Sequence, residues 1–173
     1  MNNTNTLILI CVETNNKSLT DLQYIDAALK HYYRISNEIK LDYLPMETKT
    51  KYNDSGIIKK INKKISKFDK YEIIYCLDTD KIVARYEDIK LNEEINKYCL
   101  ENNIKIVWFC ENIEDVFLHQ HISDSDKVRM AKKFSRENQL GKSTKESLSR
   151  KTLTSKTSNL LLIFDEILEQ KRK

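Results

Sequence analysis

The chain has 173 residues, enough for one sizeable hydrophobic core and short for two, so a single domain is expected. It is 40% apolar and 32% charged with a mean hydropathy of -0.60, the balance of a globular protein with a very polar surface. Its longest apolar runs, 7-LILICV-12 and 160-LLLIF-164, fall far short of the roughly 20 residues that span a bilayer, which excludes a transmembrane helix.

The asparagine-rich start 1-MNNTNT-6 lacks the basic region of a secretion signal, so a cytoplasmic location is expected. From there, short apolar runs alternate with amphipathic stretches. The run 6-TLILICV-12 predicts a strand, and 20-TDLQYIDAALKHYYR-34 predicts a helix with Leu22, Ile25, Leu29 and Tyr32 or Tyr33 on one side. A second strand falls at 39-IKLDYL-44, followed by a helix over 55-SGIIKKINKKISKF-68 that aligns Ile57, Ile58, Ile61 and Ile65. The third strand, 71-YEIIYCL-77, precedes a helix over 87-EDIKLNEEINKYCLEN-102 with Ile89, Ile95, Tyr98 and Cys99 inward, and 104-IKIVWF-109 is the fourth. This alternation predicts an α/β fold, a four-stranded, mostly parallel sheet with helices on both faces. Strand order is not legible in it.

Beyond Phe109 the pattern turns helical, with helices expected over 111-ENIEDVFLHQHI-122, 124-DSDKVRMAKKFSR-136 and about 158–170. The Ser-, Thr- and Lys-rich stretch 138–159 is expected to be the least rigid. Residues 1–122 thus form the α/β core, and residues 123–173 a basic helical extension packed on it rather than an independent domain.

The net charge of +4 is unevenly placed. Residues 127–156 hold ten Lys/Arg against Glu137 and Glu146, a surplus of eight, while the preceding segment carries 17 basic and 21 acidic residues. A basic block beside an acidic body suits a phosphate-rich partner, with Lys132, Lys133, Arg136, Lys142, Lys145, Arg150 and Lys151 as nucleic-acid-binding candidates. It serves equally as a solubilising surface. The text 140-LGKST-144 resembles the end of a phosphate-binding loop, but that motif needs glycine where Arg136 stands. The cysteines, Cys11, Cys76, Cys99 and Cys110, form no C-x-x-C pair and read as buried free thiols.

In a parallel sheet the productive crevice lies past the carboxyl ends of the strands. Glu13 follows the first strand there, and Asp78 and Asp80 follow the third. Carboxylates from separate strand ends can meet in one cleft and hold Mg²⁺ or Mn²⁺, and Mg²⁺ often touches only one or two protein carboxylates. Aspartates also end strands simply by satisfying turn amides, and Lys81 and Arg85 supply cations for a plain ion-pair network, so both readings stand. Glu111, Glu114 and Asp115 enter the same rim after the fourth strand, with Glu111 or Asp115 favoured over Glu114 as a participant. An acidic first turn is also ordinary helix electrostatics. His119 and His121 are two apart and diverge on a helix, so they form no i, i+4 metal pair; one of them can still face the rim as a proton-transfer group. His31 reads as structural.

Glutamate after the first strand, D-x-D after the third and an N-x-E-like turn after the fourth resemble the Toprim-type fold, and within it the RloB-like family. The resemblance spans residues 7–121 and rests on 11-CVETNNKSLTDLQYI-25, 76-CLDTD-80 and 111-ENIEDVFLHQH-121. Family members carry C-E-G after the first strand; here Glu13 is displaced by one residue relative to Cys11 and the glycine is absent, and Asp115 or Glu114 stands for the later glutamate. The resemblance implies Glu13, Asp78, Asp80 and Asp115 as Mg²⁺ or Mn²⁺ ligands, with Glu111, Glu114, His119 and Lys81 beside them. It further implies a metal-dependent nuclease or phosphodiesterase acting on DNA or RNA in bacterial or phage defence. The departures from the family pattern leave open an inactive sensor or partner-binding module of a defence system.

Overall fold

The computed structural model describes residues 6–14, 19–80, 86–137 and 140–168. Strand β1 (Thr6–Val12) is buried along nearly its whole length, which a strand achieves only inside a sheet covered on both faces. It pairs with β2 (Ile39–Pro45) on one side and β3 (Lys70–Asp78) on the other, and β3 pairs with β4 (Lys105–Phe109). All three pairings are parallel, so the expected mostly parallel sheet is wholly so, in the order β2-β1-β3-β4.

Alternate side chains divide the core between two faces. Ile8, Ile10 and Val12 of β1 join Ile74, Cys76, Val107 and Phe109 beneath α1 (Thr20–Tyr32), α4 (Ile113–Leu118), α5 (Asp124–Glu137) and α6 (Leu160–Ile167). Leu7, Leu9 and Cys11 turn the other way, with Ile73, Tyr75 and Leu77, toward α2 (Ser55–Ile65) and α3 (Tyr86–Glu101). All four cysteines are buried and free, as expected. Among the described residues no helix is long and apolar enough to cross a membrane.

The helix ends show their local causes. Asp54 caps α2 by accepting the Ile57 amide at 3.0 Å, and Asn112 caps α4 by accepting the Asp115 amide at 2.8 Å. Helix α4 is shorter than the expected 111–122, because His119 turns left-handed (φ 56°) and its amide closes the helix on the Asp115 carbonyl at 3.1 Å. Ile89, expected inward, is 47% exposed. It lies about 120° around α3 from Ile95, and Ile95 and Cys99 alone bury.

The polar stretch 138–159 departs most from expectation. In its described part, Leu148 is fully buried, Ser158 donates to the Ser147 carbonyl at 2.8 Å, and the Arg150 amide donates back to Ser158 at 3.0 Å. The Asn159 side chain then pairs with the edge of β4, accepting from the Trp108 amide at 2.8 Å and donating to the Ile106 carbonyl at 3.0 Å. An asparagine thus occupies the edge that would otherwise offer unpaired backbone groups to another strand. Gly141 explains the loop-like text around it: at φ 59° a Cβ would lie 2.3 Å from the Phe117 carbonyl oxygen, the same oxygen that accepts the Lys142 amide at 2.8 Å. Gly141→Ala is therefore expected to lower stability by more than about 1 kcal/mol, read as a lower denaturant midpoint with unchanged slope.

Candidate functional site

The sheet order fixes where a site can form. Helix α1 leaves β1 over one face, whereas α2 and α3 cross over the other, so connections diverge beyond the carboxyl ends of the adjacent strands β1 and β3. The β1–β3 register matches Val12 with Cys76, which brings Glu13 and Asp78 to the same end of the sheet, where a Glu13 carboxylate oxygen accepts the Asp78 amide. A cleft of about 470 Å³ opens there, and Glu13, Asp21, Asp78, Asp80, Glu114 and Lys127 line much of it.

Each carboxylate has a different structural situation. Glu13 bridges two turns: one oxygen accepts the Lys49 amide at 3.1 Å and the other accepts the Asp78 amide at 3.4 Å. Asp78 closes β3. Asp80 is left-handed (φ 59°) and bridges to Glu111, whose carbonyl accepts the Asp80 amide at 3.0 Å. Glu111 is itself left-handed (φ 66°) and donates its amide to Thr79 Oγ1 at 2.9 Å, so its backbone shapes the rim. The expected preference for Asp115 over Glu114 is reversed in the geometry. Asp115 accepts the Asn112 side-chain amide at 2.6 Å within the α4 cap, whereas Glu114, only 1% exposed, lines the cleft. A one-residue step on a short helix turns one carboxylate inward and the other to the cap.

Two further groups shape this region beyond the acids that the sequence pointed to. Lys49, in a short 3₁₀ turn over Lys49–Lys51, is 4% exposed. Its ammonium donates to the Asp78 carbonyl and to Asn92 Oδ1, both at 3.1 Å, and forms an ion pair with Asp80. Asn92 in turn donates to the Thr79 carbonyl at 2.9 Å. Asp21, in the first turn of α1, reaches the cleft from the opposite side. Its place after the first strand was a usable signal, since the helix that follows a strand begins at the same crevice.

His119 sits at the α4 end, does not line the cleft, and its buried Nε2 has no hydrogen-bond partner among the described residues. Burial first, then Lys156 and Lys142, lower its pKa. His121 is exposed. Lys81 and Arg85 lie outside the described residues. Lys132, Lys133 and Arg136 are exposed on α5, and with Arg129 they line a shallow groove of about 300 Å³. Lys142, Lys145, Arg150 and Lys151 are exposed beyond it. Some of this charge is answered locally, by Lys133–Glu137 at 3.7 Å and Arg150–Glu146 at 3.3 Å.

The cleft is electrostatically expensive. Burial, and then the neighbouring Asp21, Glu13, Glu114 and Asp80 carboxylates, hold the Asp78 carboxyl well above the usual range. Asp21 is pushed up to about 7 by burial and then by Glu114. Burial raises Glu13 against the opposing Lys49 amide, and raises Glu114 against the opposing Lys127 ammonium. Among the described residues no three His, Cys, Asp or Glu side chains are arranged as a ready metal cage. A hydrated Mg²⁺ asks for less: one or two carboxylates, with water completing the octahedron. Asp78 with a neighbouring carboxylate fits that demand, and Glu114 Oε2, buried without a hydrogen-bond partner among the described residues, is the kind of atom a metal-bound water satisfies.

No protein-family model matches the chain, and no curated protein matches it. The cleft therefore rests on its own geometry.

These raised carboxylates set a pH dependence. A carboxyl whose folded pKa exceeds its unfolded value, about 4, keeps its proton in the folded state through a window where the unfolded chain has released it, so stability falls as pH rises through that window. For Asp21 the window ends near 7. His119 contributes with the opposite sign, because its depressed pKa favours the fold as pH rises through its unfolded value. A comparison with Asp78→Asn isolates the cleft. In the absence of divalent ions the variant is expected to melt higher than wild type at pH 8, with the advantage shrinking toward pH 5; an advantage that grows toward acid would contradict this account.

Proposed function

We propose that the chain is a divalent-cation-dependent phosphodiesterase acting on nucleic acid, of the Toprim-like, RloB-like kind its motifs resemble, with a role in bacterial or phage defence. The observation that carries this reading is the gathering of Glu13, Asp21, Asp78, Asp80 and Glu114 into one open cleft at the switch point between β1 and β3. Carboxylates that raise one another's pKa are an expense that a bound cation offsets.

Asp78 is the central cation-holding residue, because it ends the strand at the switch point and feels the charge of the other four acids. Bound Mg²⁺ or Mn²⁺ supplies Lewis-acid activation of a water and neutralises charge on a phosphate oxygen. Glu13, its carboxyl raised by burial and held by two backbone amides, would keep lone pairs with which to accept a proton of the attacking water. Lys127 stands at the cleft with Glu114 at 3.8 Å and Asp124 at 3.4 Å. Arg129, Lys132, Lys133 and Arg136 follow on α5, about 140–240° around the helix from Lys127, and line a separate groove. Those cations would hold a phosphate backbone by charge and would not read its sequence.

A second reading is favoured by Lys49. Its ammonium already sits against Asp80, so part of the acidic cluster carries its own cation, as in a protein whose cleft is a structural relic and whose surface binds a defence partner. The experiment that separates the readings is cleavage of labelled single- and double-stranded DNA and RNA with Mg²⁺ or Mn²⁺. Wild type is expected to cleave at least one of them, and Asp78→Asn to lose about 100-fold or more in rate while remaining folded. Undiminished cleavage by folded Asp78→Asn would remove the proposed site.

A further inference from the structure

The acids of the cleft are not equivalent, and the difference relocates the cation. Glu13 has both oxygens engaged by the Lys49 and Asp78 amides. Asp80 is half exposed and ion-paired with the Lys49 ammonium. These two residues, which with Asp78 make the motif most visible in the sequence, are committed to holding the turns after β1, β2 and β3 together.

The opposite wall is different. Glu114 is 1% exposed, lines the cleft, and its buried Oε2 has no hydrogen-bond partner among the described residues. Its sole ion-pair partner among the described residues is Lys127, at 3.8 Å, beyond hydrogen-bond reach and shared with Asp124. Asp21 lines the same cleft from the first turn of α1 and accepts from the adjacent Thr20 hydroxyl at 3.1 Å. Behind them the Tyr24 hydroxyl is a second buried polar atom without a partner among the described residues. Its ring is fixed by Phe117, with centroids 5.5 Å apart, and by Phe134 at 4.7 Å. The wall is thus built on packed aromatic rings and leaves polar atoms unanswered. A buried polar atom without a partner is rare in a folded protein and points to a bound water or ion.

We infer that the cleft takes a hydrated divalent cation between Asp78, Asp21 and Glu114, with Asp21 and Glu114 serving through its water shell, rather than at the Glu13, Asp78 and Asp80 set. This rests on the cation-dependent reading given above and assigns its residues. Mg²⁺ retains most of its water in such a site, so carboxylates that form no direct cage can still hold it by accepting from coordinated waters. Lys127 is the internal cation that the arriving ion displaces from Glu114. Lys49 stays in place, since it lies on the other wall and satisfies backbone and Asn92 acceptors that the ion does not replace.

The test is Mn²⁺ binding to the full chain, followed by the electron paramagnetic resonance signal of free Mn²⁺, in wild type, Asp21→Asn, Glu114→Gln and Asp80→Asn, each checked for folding by circular dichroism. Asp21→Asn and Glu114→Gln are expected to weaken binding by about 10-fold or more, the cost of losing partners of a metal's water shell, while Asp80→Asn leaves it little changed. Two substitutions on separate helices keep the test valid if one of them unfolds. Binding unchanged in Asp21→Asn and Glu114→Gln but lost in Asp80→Asn would overturn this assignment and leave the cation-dependent reading intact. Wild type that binds no Mn²⁺ would overturn both.

Discussion

The carboxyl edge of the sheet depends on one buried lysine. Lys49 places its ammonium where the ends of β3 and the start of the following turn leave a carbonyl and a carboxylate, and Asn92 from α3 completes its partners. A lysine 4% exposed is tolerated only when its charge is paired and its donors are used, and here both conditions are met. The same residue donates its backbone amide to Glu13, so one turn fixes the acids on both sides of the switch point. That anchor offsets part of the repulsion that Glu13 and Asp80 exert on Asp78.

The rest of the cleft follows from how the two faces of the sheet are covered. On one face α1, α4 and α5 share an aromatic cluster in which Tyr24, Phe117 and Phe134 lie with ring centroids 4.7 to 5.6 Å apart. Such pairs contribute about 0.5–1.5 kcal/mol each beyond their buried area. They hold the helices that present Asp21, Glu114 and Lys127, so this wall of the cleft rests on a firmly packed base. Stability lost to charge repulsion in the cleft is offset by apolar packing directly behind it, the distribution expected where a site stores strain for a ligand.

The basic character of the chain has a matching geometry. Helix α5 begins among the acids, with Asp124 and Lys127 at the cleft, and continues as a row of exposed cations. The two fields lie on different faces of that helix, because about 100° per residue turns Arg129, Lys132, Lys133 and Arg136 away from Lys127.

Much of the architecture was legible in the residues themselves. The four apolar runs became the four strands, and the alternation of strand and helix required a parallel sheet, because burial on both faces and short crossovers are read directly from periodicity. Glu13, Asp78 and Asp80 were visible because they stand at strand ends. Strand order was not legible, since periodicity says which face a residue takes and nothing about which strand lies beside which. Nor were the partners that decide each acid's role: Lys49 lies 29 residues before Asp78 in the chain, and its pairing with Asp80 exists only after β2 and β3 flank β1. That Glu114 and not Asp115 lines the cleft turned on the rotation of a helix of six residues, and the order in the described part of the polar 138–159 stretch on an edge of β4 for Asn159 to cover. Local sequence determined the elements and the carboxylates that end them. Tertiary structure decided which charges are paired within the protein and how closely, because that depends on distances the chain sets only by folding.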